Sequence, residues 1–433
     1  MRHELGDEAE SLFEALDSVS PVSVRLNTHK WSGEEFGEAV PWCRWGRYLS
    51  ERPQFTTDIP FAAGAYYVQE AGSQFIDYIL QSEKTEGVRI LDMCAAPGGK
   101  TTLYSTLVGQ KGLVVANEYV RNRANILADN IRKWGLGNVV VTNNDPSHIA
   151  AFEQWFDIVA VDAPCSGEGM FRKDSGAVEE WSPKNVQECV ARQCEILDDV
   201  WDALKPGGVL VYSTCTFNQE ENEQNVKWII EELGAELLPI AYDPTWGIVE
   251  GNPGYHFYPH KVKGEGLYMC ALRKLGAPAA FRMPKSKVQA PKTKIDGEAE
   301  MRTWLKHPDR WVIRQQDRFM SAYPAKYKEL IEYISTQFIC ISTGFGIGEL
   351  RGKGVAPQHS LAMLKDLNKQ AFVCADLTLE QALAYLRNEA LVLEGVQQGI
   401  VLITYDNVPL GFVKNVGNHC NNLYPKEWRI RKL

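Results

Sequence analysis

The stretch Arg89-Ile90-Leu91-Asp92-Met93-Cys94-Ala95-Ala96-Pro97-Gly98-Gly99-Lys100-Thr101-Thr102 decides how this chain folds. An apolar run ends in an acid, a glycine turn follows, and a helical pattern opens at Lys100. This is the strand, loop and helix entry of an α/β sheet. The glycines let backbone approach a ligand, and the helix N-terminus favours negative charge. A Walker phosphate loop would need Gly where Cys94 stands, five residues before Gly99. A dinucleotide fingerprint, Gly-x-Gly-x-x-Gly, is absent.

Outward from this loop, strand and helix patterns alternate. Strands are predicted at 88–93, 113–118, 138–142, 156–161 and 208–213, and helices at 100–108, 121–134, 185–204 and 219–233. The alternation implies a doubly wound parallel sheet. A late hairpin at 254–258 and 266–273 could add an antiparallel strand. Upstream, Leu12, Phe13, Leu16 and Val19 fall at helical spacing, 23–27 reads as a strand and 69–80 as a helix. Residues 276–291 read as a linker and 301–338 as mostly helical. Gly399–Tyr405 and 409–413, split by Asp406-Asn407, read as a β-hairpin. The expected organisation is a module at 1–70, a sheet domain at 71–275, a basic linker at 276–300, a helical or mixed region at 301–375 and a mixed α+β domain at 376–433.

At 433 residues, with 45% hydrophobic and 23% charged residues, the composition is that of a globular chain of two or three domains. It has no apolar run long enough for a membrane span and no apolar signal region. Ten scattered cysteines suit a reducing cytoplasm. The absence of Cys-x-x-Cys pairs or a His cluster argues against a metal. The net charge of −9 argues against a nucleic-acid partner, but it is uneven. From 272 to 294 there are seven basic residues and no acid, and Lys426, Arg429, Arg431 and Lys432 crowd the end. Such runs can hold phosphates; a solvated linker and tail are the plain alternative.

Two further motifs end predicted strands. One is Asp162-Ala163-Pro164-Cys165-Ser166-Gly167; the other is Tyr212-Ser213-Thr214-Cys215-Thr216. A lone cysteine is commonly inert packing, as expected here for Cys189, Cys194, Cys270, Cys340 and Cys374. A thiol beside a ligand loop is a candidate nucleophile. Glu118, at the end of the second strand, could accept from ribose hydroxyls. Asp145 could meet an adenine edge, or simply cap the turn in Asn144-Asp145-Pro146-Ser147. The loop 170–174 mixes an aromatic with basic residues and could touch RNA. Two thiols, a carboxylate and a ligand loop fit methyl transfer to carbon 5 of a pyrimidine. That carbon is a poor nucleophile until a thiolate adds to carbon 6, and an acid is needed near ring nitrogen 3. Asp162, if protonated, can donate there.

The stretches 91–102, 162–169 and 213–216, with Lys205-Pro206-Gly207-Gly208 between them, resemble the S-adenosylmethionine-dependent RNA cytosine-5 methyltransferases of the Sun-related family. Residues 13–30, 61–73, 409–414 and 422–430 resemble the end modules of its bacterial 16S ribosomal RNA enzymes. The resemblance implies a Rossmann-like class I methyltransferase sheet, an N-terminal RNA-binding module and a PUA-like RNA-binding C-terminal domain. It implies that Cys94, Ala95, Ala96, Pro97, Gly98, Gly99 and Lys100 hold S-adenosylmethionine, with Glu118 at the ribose, Asp145 at the adenine and Asp162 serving both donor and base. Cys215 would be the nucleophile and Cys165 would assist product release. DNA cytosine-5 enzymes use the Pro-Cys cysteine to attack instead.

The implied partner is ribosomal RNA or the small ribosomal subunit, with no membrane, no metal and a cytoplasmic monomer. A transfer RNA substrate, a non-catalytic ribosome-assembly factor and a dinucleotide-dependent oxidoreductase are the alternatives. The missing glycine fingerprint weighs against the last. A pure scaffold has no need for both Cys165 and Cys215.

Overall fold

A computed structural model describes residues 1, 5–31, 33, 36–277, 295–352 and 354–431. Five of the seven basic residues between 272 and 294, and Lys432, lie outside the described residues.

The sheet predicted from the glycine loop is present. Its parallel centre comprises β1 (Arg89–Asp92), β2 (Leu113–Asn117), β3 (Val139–Thr142), β4 (Phe156–Asp162) and β5 (Leu204–Thr214), in the order β5-β4-β1-β2-β3. Every residue of β2 and β3 is buried. Continuous apolar runs of this kind belong to strands covered on both faces. The chain crosses to one side of β1 for β2 and β3, and to the other for β4 and β5. The resulting switch point opens a crevice between the ends of β1 and β4. The predicted late hairpin, Tyr255–Phe257 and Leu267–Lys274, continues the sheet antiparallel beyond β5.

Four helices follow the strands: α1 (Gly99–Val108), α2 (Arg121–Trp134), α3 (Pro183–Trp201) and α4 (Glu223–Glu232). On α2, Ala124, Leu127, Ala128, Ile131 and Trp134 are buried, three or four residues apart as one helix face requires. Gly135 ends α2 in the left-handed region, and a Cβ there would meet the Met363 carbonyl at 1.9 Å. On α3, Ser182 caps the first turn by accepting from the Asn185 N–H, and Pro183 follows it.

The N-terminal segment forms a four-stranded antiparallel sheet that includes Val22–Leu26 and Tyr66–Val68. Residues 301–338 depart from the helical expectation. Trp311–Gln316 and Phe319–Pro324 form a hairpin, joined by Phe345–Arg351 and Gly354–Pro357 in a separate sheet. The apolar residues of this stretch fit strands, because Trp311, Ile313, Met320 and Ala322 alternate toward one buried face. The helix in this region, Lys328–Gln337, instead packs its Leu330, Ile331 and Ile334 on the large sheet. Phe338 stacks on Phe152 with ring centroids 4.4 Å apart. Cys340–Ser342 then pairs antiparallel with β3 and closes that edge.

The C-terminal sheet contains the predicted hairpin, as Gly399–Tyr405 and Val408–Asn415, and begins at Val373–Asp376. Cys374, expected in a core, lies exposed on that first strand. All ten cysteines are free. Among the described residues, no helix is long and apolar enough to cross a membrane, and no group of three metal-ligating side chains is assembled.

Candidate active site

The parallel register of β4 and β5 sets Asp162 beside Ser213, so the residues after each strand meet. The Ala163 N–H donates to the Ser213 carbonyl at 2.8 Å. The Sγ atoms of Cys165 and Cys215 then lie 3.0 Å apart, and the Cys215 N–H points at the Cys165 sulfur at 3.2 Å. Ser213 Oγ donates to Asp162 Oδ1 at 2.8 Å. Lys100, in the first turn of α1, reaches the same oxygen at 2.6 Å. The three strand-end motifs therefore converge on Asp162.

This arrangement separates the two thiols. The contact with Cys165 lowers the Cys215 thiol, against its burial and the nearby Asp162 charge, and the Lys100 charge offsets part of that opposition. The same contact and burial push Cys165 well up. Burial opposes the Lys100 charge, but Asp162 outweighs it and the ammonium is held above its ordinary value. Cys215 is thus the sulfur favoured as thiolate.

A buried polar cage holds the Cys165 loop. Glu221 accepts from the Ser166 N–H at 3.0 Å and from Gln193 at 2.8 Å, and Gln193 also donates to the Pro164 carbonyl at 2.9 Å. Glu168 accepts from the Thr216 hydroxyl at 3.0 Å and the Phe217 N–H at 2.9 Å. The Gly169 N–H reaches the Cys215 carbonyl at 2.9 Å, and a Cβ at Gly169 would sit 2.3 Å from the Gly266 carbonyl oxygen. Sequence reading missed Glu221, Glu168 and Gln193. Glu168 and Glu221 carry only a charge close to a cysteine motif, and Gln193 only an amide on α3, which a single sequence does not separate from surface polarity.

The ligand loop occupies the crevice. Cys94 and Gly98 have positive φ, 58° and 110°. Asp92, buried beneath, accepts from Thr101 at 2.6 Å. Burial pushes its carboxyl up to about 7. Glu118 is 3% exposed; its Oε1 accepts from the Val120 N–H, while Oε2 has no hydrogen-bond partner and lies 3.6 Å from Arg123. A buried carboxylate oxygen without a donor is what a ribose diol would satisfy. Asp145 is exposed and caps the following turn through the Ser147 N–H and hydroxyl. The expected RNA contact of loop 170–174 is not free. Arg172 is buried against Glu265 at 2.7 Å and donates to the Ala15 carbonyl, and Lys173 joins Glu265 at 3.1 Å.

Arg25, from the N-terminal sheet, also reaches the loop and was not singled out in the sequence. It is fully buried, donates to the Gly99 carbonyl at 3.1 Å and lies over Trp134 at 4.3 Å. Desolvation lowers its guanidinium to about 10.

Known proteins resemble this chain along its length. The family model described as 16S rRNA methyltransferase RsmB/F matches residues 78–273. The N-terminal domain of 16S rRNA methyltransferase RsmF matches 1–71, and the methyltransferase RsmF PUA domain matches 372–430. The ribosomal RNA small subunit methyltransferase F of Escherichia coli (strain K12) is 32% identical over 435 residues, covering 94% of this chain and 89% of that protein. Its counterpart from Enterobacter sp. (strain 638) is 31% identical with the same coverage. Among solved structures, PH0851 superposes with a TM-score of 0.58 at 26% identity, covering 63% of this chain and 64% of that one. A methyltransferase homolog protein from Pyrococcus horikoshii gives 0.54 at 29%, covering 62% and 92%.

Proposed function

The chain belongs to the 16S rRNA methyltransferase RsmB/F family, and from that premise we propose that it methylates carbon 5 of cytosine in small-subunit ribosomal RNA, using S-adenosylmethionine. The observation that carries this reading is the pair of sulfurs 3.0 Å apart at the ends of β4 and β5, beside an Asp162 held by Lys100.

The residues around the crevice fit the donor. Loop 94–100 would cradle it, and the Glu118 oxygen that accepts no hydrogen bond would accept from its ribose. Asp145 would border the adenine. S-adenosylmethionine, bound there, supplies an electrophilic methyl group. Cys215, as thiolate, adds to carbon 6 of the target cytosine and raises the electron density at carbon 5. Asp162 would face the nitrogen 3 edge, and its partner Lys100, 2.6 Å away, keeps a proton within reach of that carboxylate. After carbon 5 is methylated, its proton passes to water, the electron pair of that C–H bond restores the 5,6 double bond, and the bond from Cys215 to carbon 6 breaks. Cys165, 3.0 Å from the departing sulfur, assists this release and Cys215 is freed as thiolate.

Residues 1–70 and 376–433 would bind RNA on either side of the catalytic domain at 71–275. The protein would act as a cytoplasmic monomer without a metal. The test is methyl transfer from labelled donor to three acceptors: small-subunit ribosomal RNA, assembled small subunits and bulk transfer RNA. Label in ribosomal RNA or subunits, recovered as 5-methylcytosine, is expected. Label only in transfer RNA would redirect the substrate assignment, and none in any acceptor would contradict the enzyme.

A further inference from the structure

Between the sheet at 311–357 and the C-terminal segment 423–428 runs a groove of about 1060 Å³. Three parts of the chain supply its cations: Arg132 of α2, Arg314, Arg318 and Arg351 of the sheet, and Lys426. Against these five stand two carboxylates, Glu349 and Glu427, so the lining carries +3 in a chain whose net charge is −9. Glu349 is shared by Arg318 at 3.2 Å and Arg351 at 2.9 Å. Arg314 and Lys426 make no ion pair among the described residues. An open basic groove concentrates anions, which a mostly apolar, enclosed small-molecule pocket does not.

Two further observations point to a nucleic acid. Phe319 is 46% exposed at the hairpin turn, with the Arg318 guanidinium 4.9 Å from its ring centroid. An exposed ring beside cations is a stacking platform for bases. His359 also lines the groove and is 91% buried, yet neither ring nitrogen has a hydrogen-bond partner. Burial, with the Lys30 and Lys133 charges, holds it neutral, so it can offer one donor and one acceptor to a ligand. The groove also reaches the end of β3. It runs past Cys340, and the preceding Ile339 exchanges two 3.0 Å hydrogen bonds with Asn144, the neighbour of Asp145.

We propose that this groove holds the phosphodiester backbone of a single-stranded segment of the substrate RNA, outside the target base, with Arg314 and Lys426 on phosphates and Phe319 stacked on a base. The inference rests on the RNA methyltransferase reading above.

The experiment uses the full chain and an in vitro transcript of small-subunit ribosomal RNA. In the R314Q/K426Q variant, the slope of log affinity against log salt should shrink by about 1.4–1.8, roughly 0.7–0.9 for each lost phosphate contact. The KM for RNA should rise while kcat at saturating RNA, donor affinity and thermal midpoint stay unchanged. Phe319→Ala should weaken RNA binding about tenfold with the salt slope kept. Unchanged slope, KM and affinity in both variants, with the native chain active on the transcript, would overturn the groove alone. A native chain that binds the transcript but transfers no methyl would overturn the methyltransferase reading, while the slopes still report on the groove.

Discussion

Arg25 of the N-terminal sheet donates to the Thr102 hydroxyl of α1 at 2.5 Å, across 77 residues of chain. The same guanidinium holds the Gly99 carbonyl, and its Nε is fixed by Gln69 at 2.7 Å. The module before the catalytic domain therefore braces the ligand loop directly.

Arg25→Ala should lower stability by about 4–5 kcal/mol, the loss of three hydrogen bonds from a charged donor at roughly 1.5 kcal/mol each. It should also weaken donor binding, because Gly99 opens the helix that follows the loop. Arg25→Lys should restore little, since an ammonium lacks the planar fork that reaches Gln69 and Thr102 together. Calorimetric titration and thermal unfolding read the two effects. Unaltered donor affinity would show that the brace serves stability only.

Glu118→Ala should weaken S-adenosylmethionine about 10- to 100-fold, the loss of roughly 1.5–3 kcal/mol for hydrogen bonds to a charged acceptor. NAD should not compete for the site. Equal binding of NAD would contradict the donor assignment.

Asp92 titrates against stability in the donor-free protein. Its carboxyl rises from 3.8 to about 7 on folding, so between these values the folded state binds more protons than the unfolded chain. Stability should therefore fall as pH rises from about 4 to 7. Asp92→Asn should flatten that part of the profile. Denaturant midpoints across this range measure it, and a slope retained in the variant would assign the proton elsewhere.

Phe338→Ala should cost about 3 kcal/mol by opening a cavity against Phe152. Donor binding should survive, because the pair lies outside the ligand crevice. Loss of donor binding at unchanged stability would contradict this placement.

The catalytic half was legible because its signals are local. A glycine turn between a strand and a helix, and a cysteine just after each of two strands, specify positions that the parallel register then brings together. The pattern at 301–338 was ambiguous. Trp304, Trp311, Phe319 and Tyr327 suit a helix core by spacing, but the chain between Trp311 and Pro324 alternates and turns at Asp317, where φ is 54°. The cage of Glu221, Glu168 and Gln193 was not legible. Buried acids and amides carry no composition signal; only tertiary packing shows that the two cysteine loops need their hydrogen bonds. Arg25 was hidden in the same way, as a charge inside an otherwise ordinary strand. Arg172 misled in the opposite direction, because a basic loop residue looks free until Glu265 arrives from nearly a hundred residues away.

The division of labour between the two sulfurs is the central claim, and trapping the RNA adduct tests it most directly. Cys165→Ala, given donor and substrate RNA, should accumulate a slow-migrating complex that survives denaturant, because addition proceeds and release stalls. Cys215→Ala and the double variant should give none. An adduct trapped by Cys215→Ala but not by Cys165→Ala would reverse the roles and contradict the account.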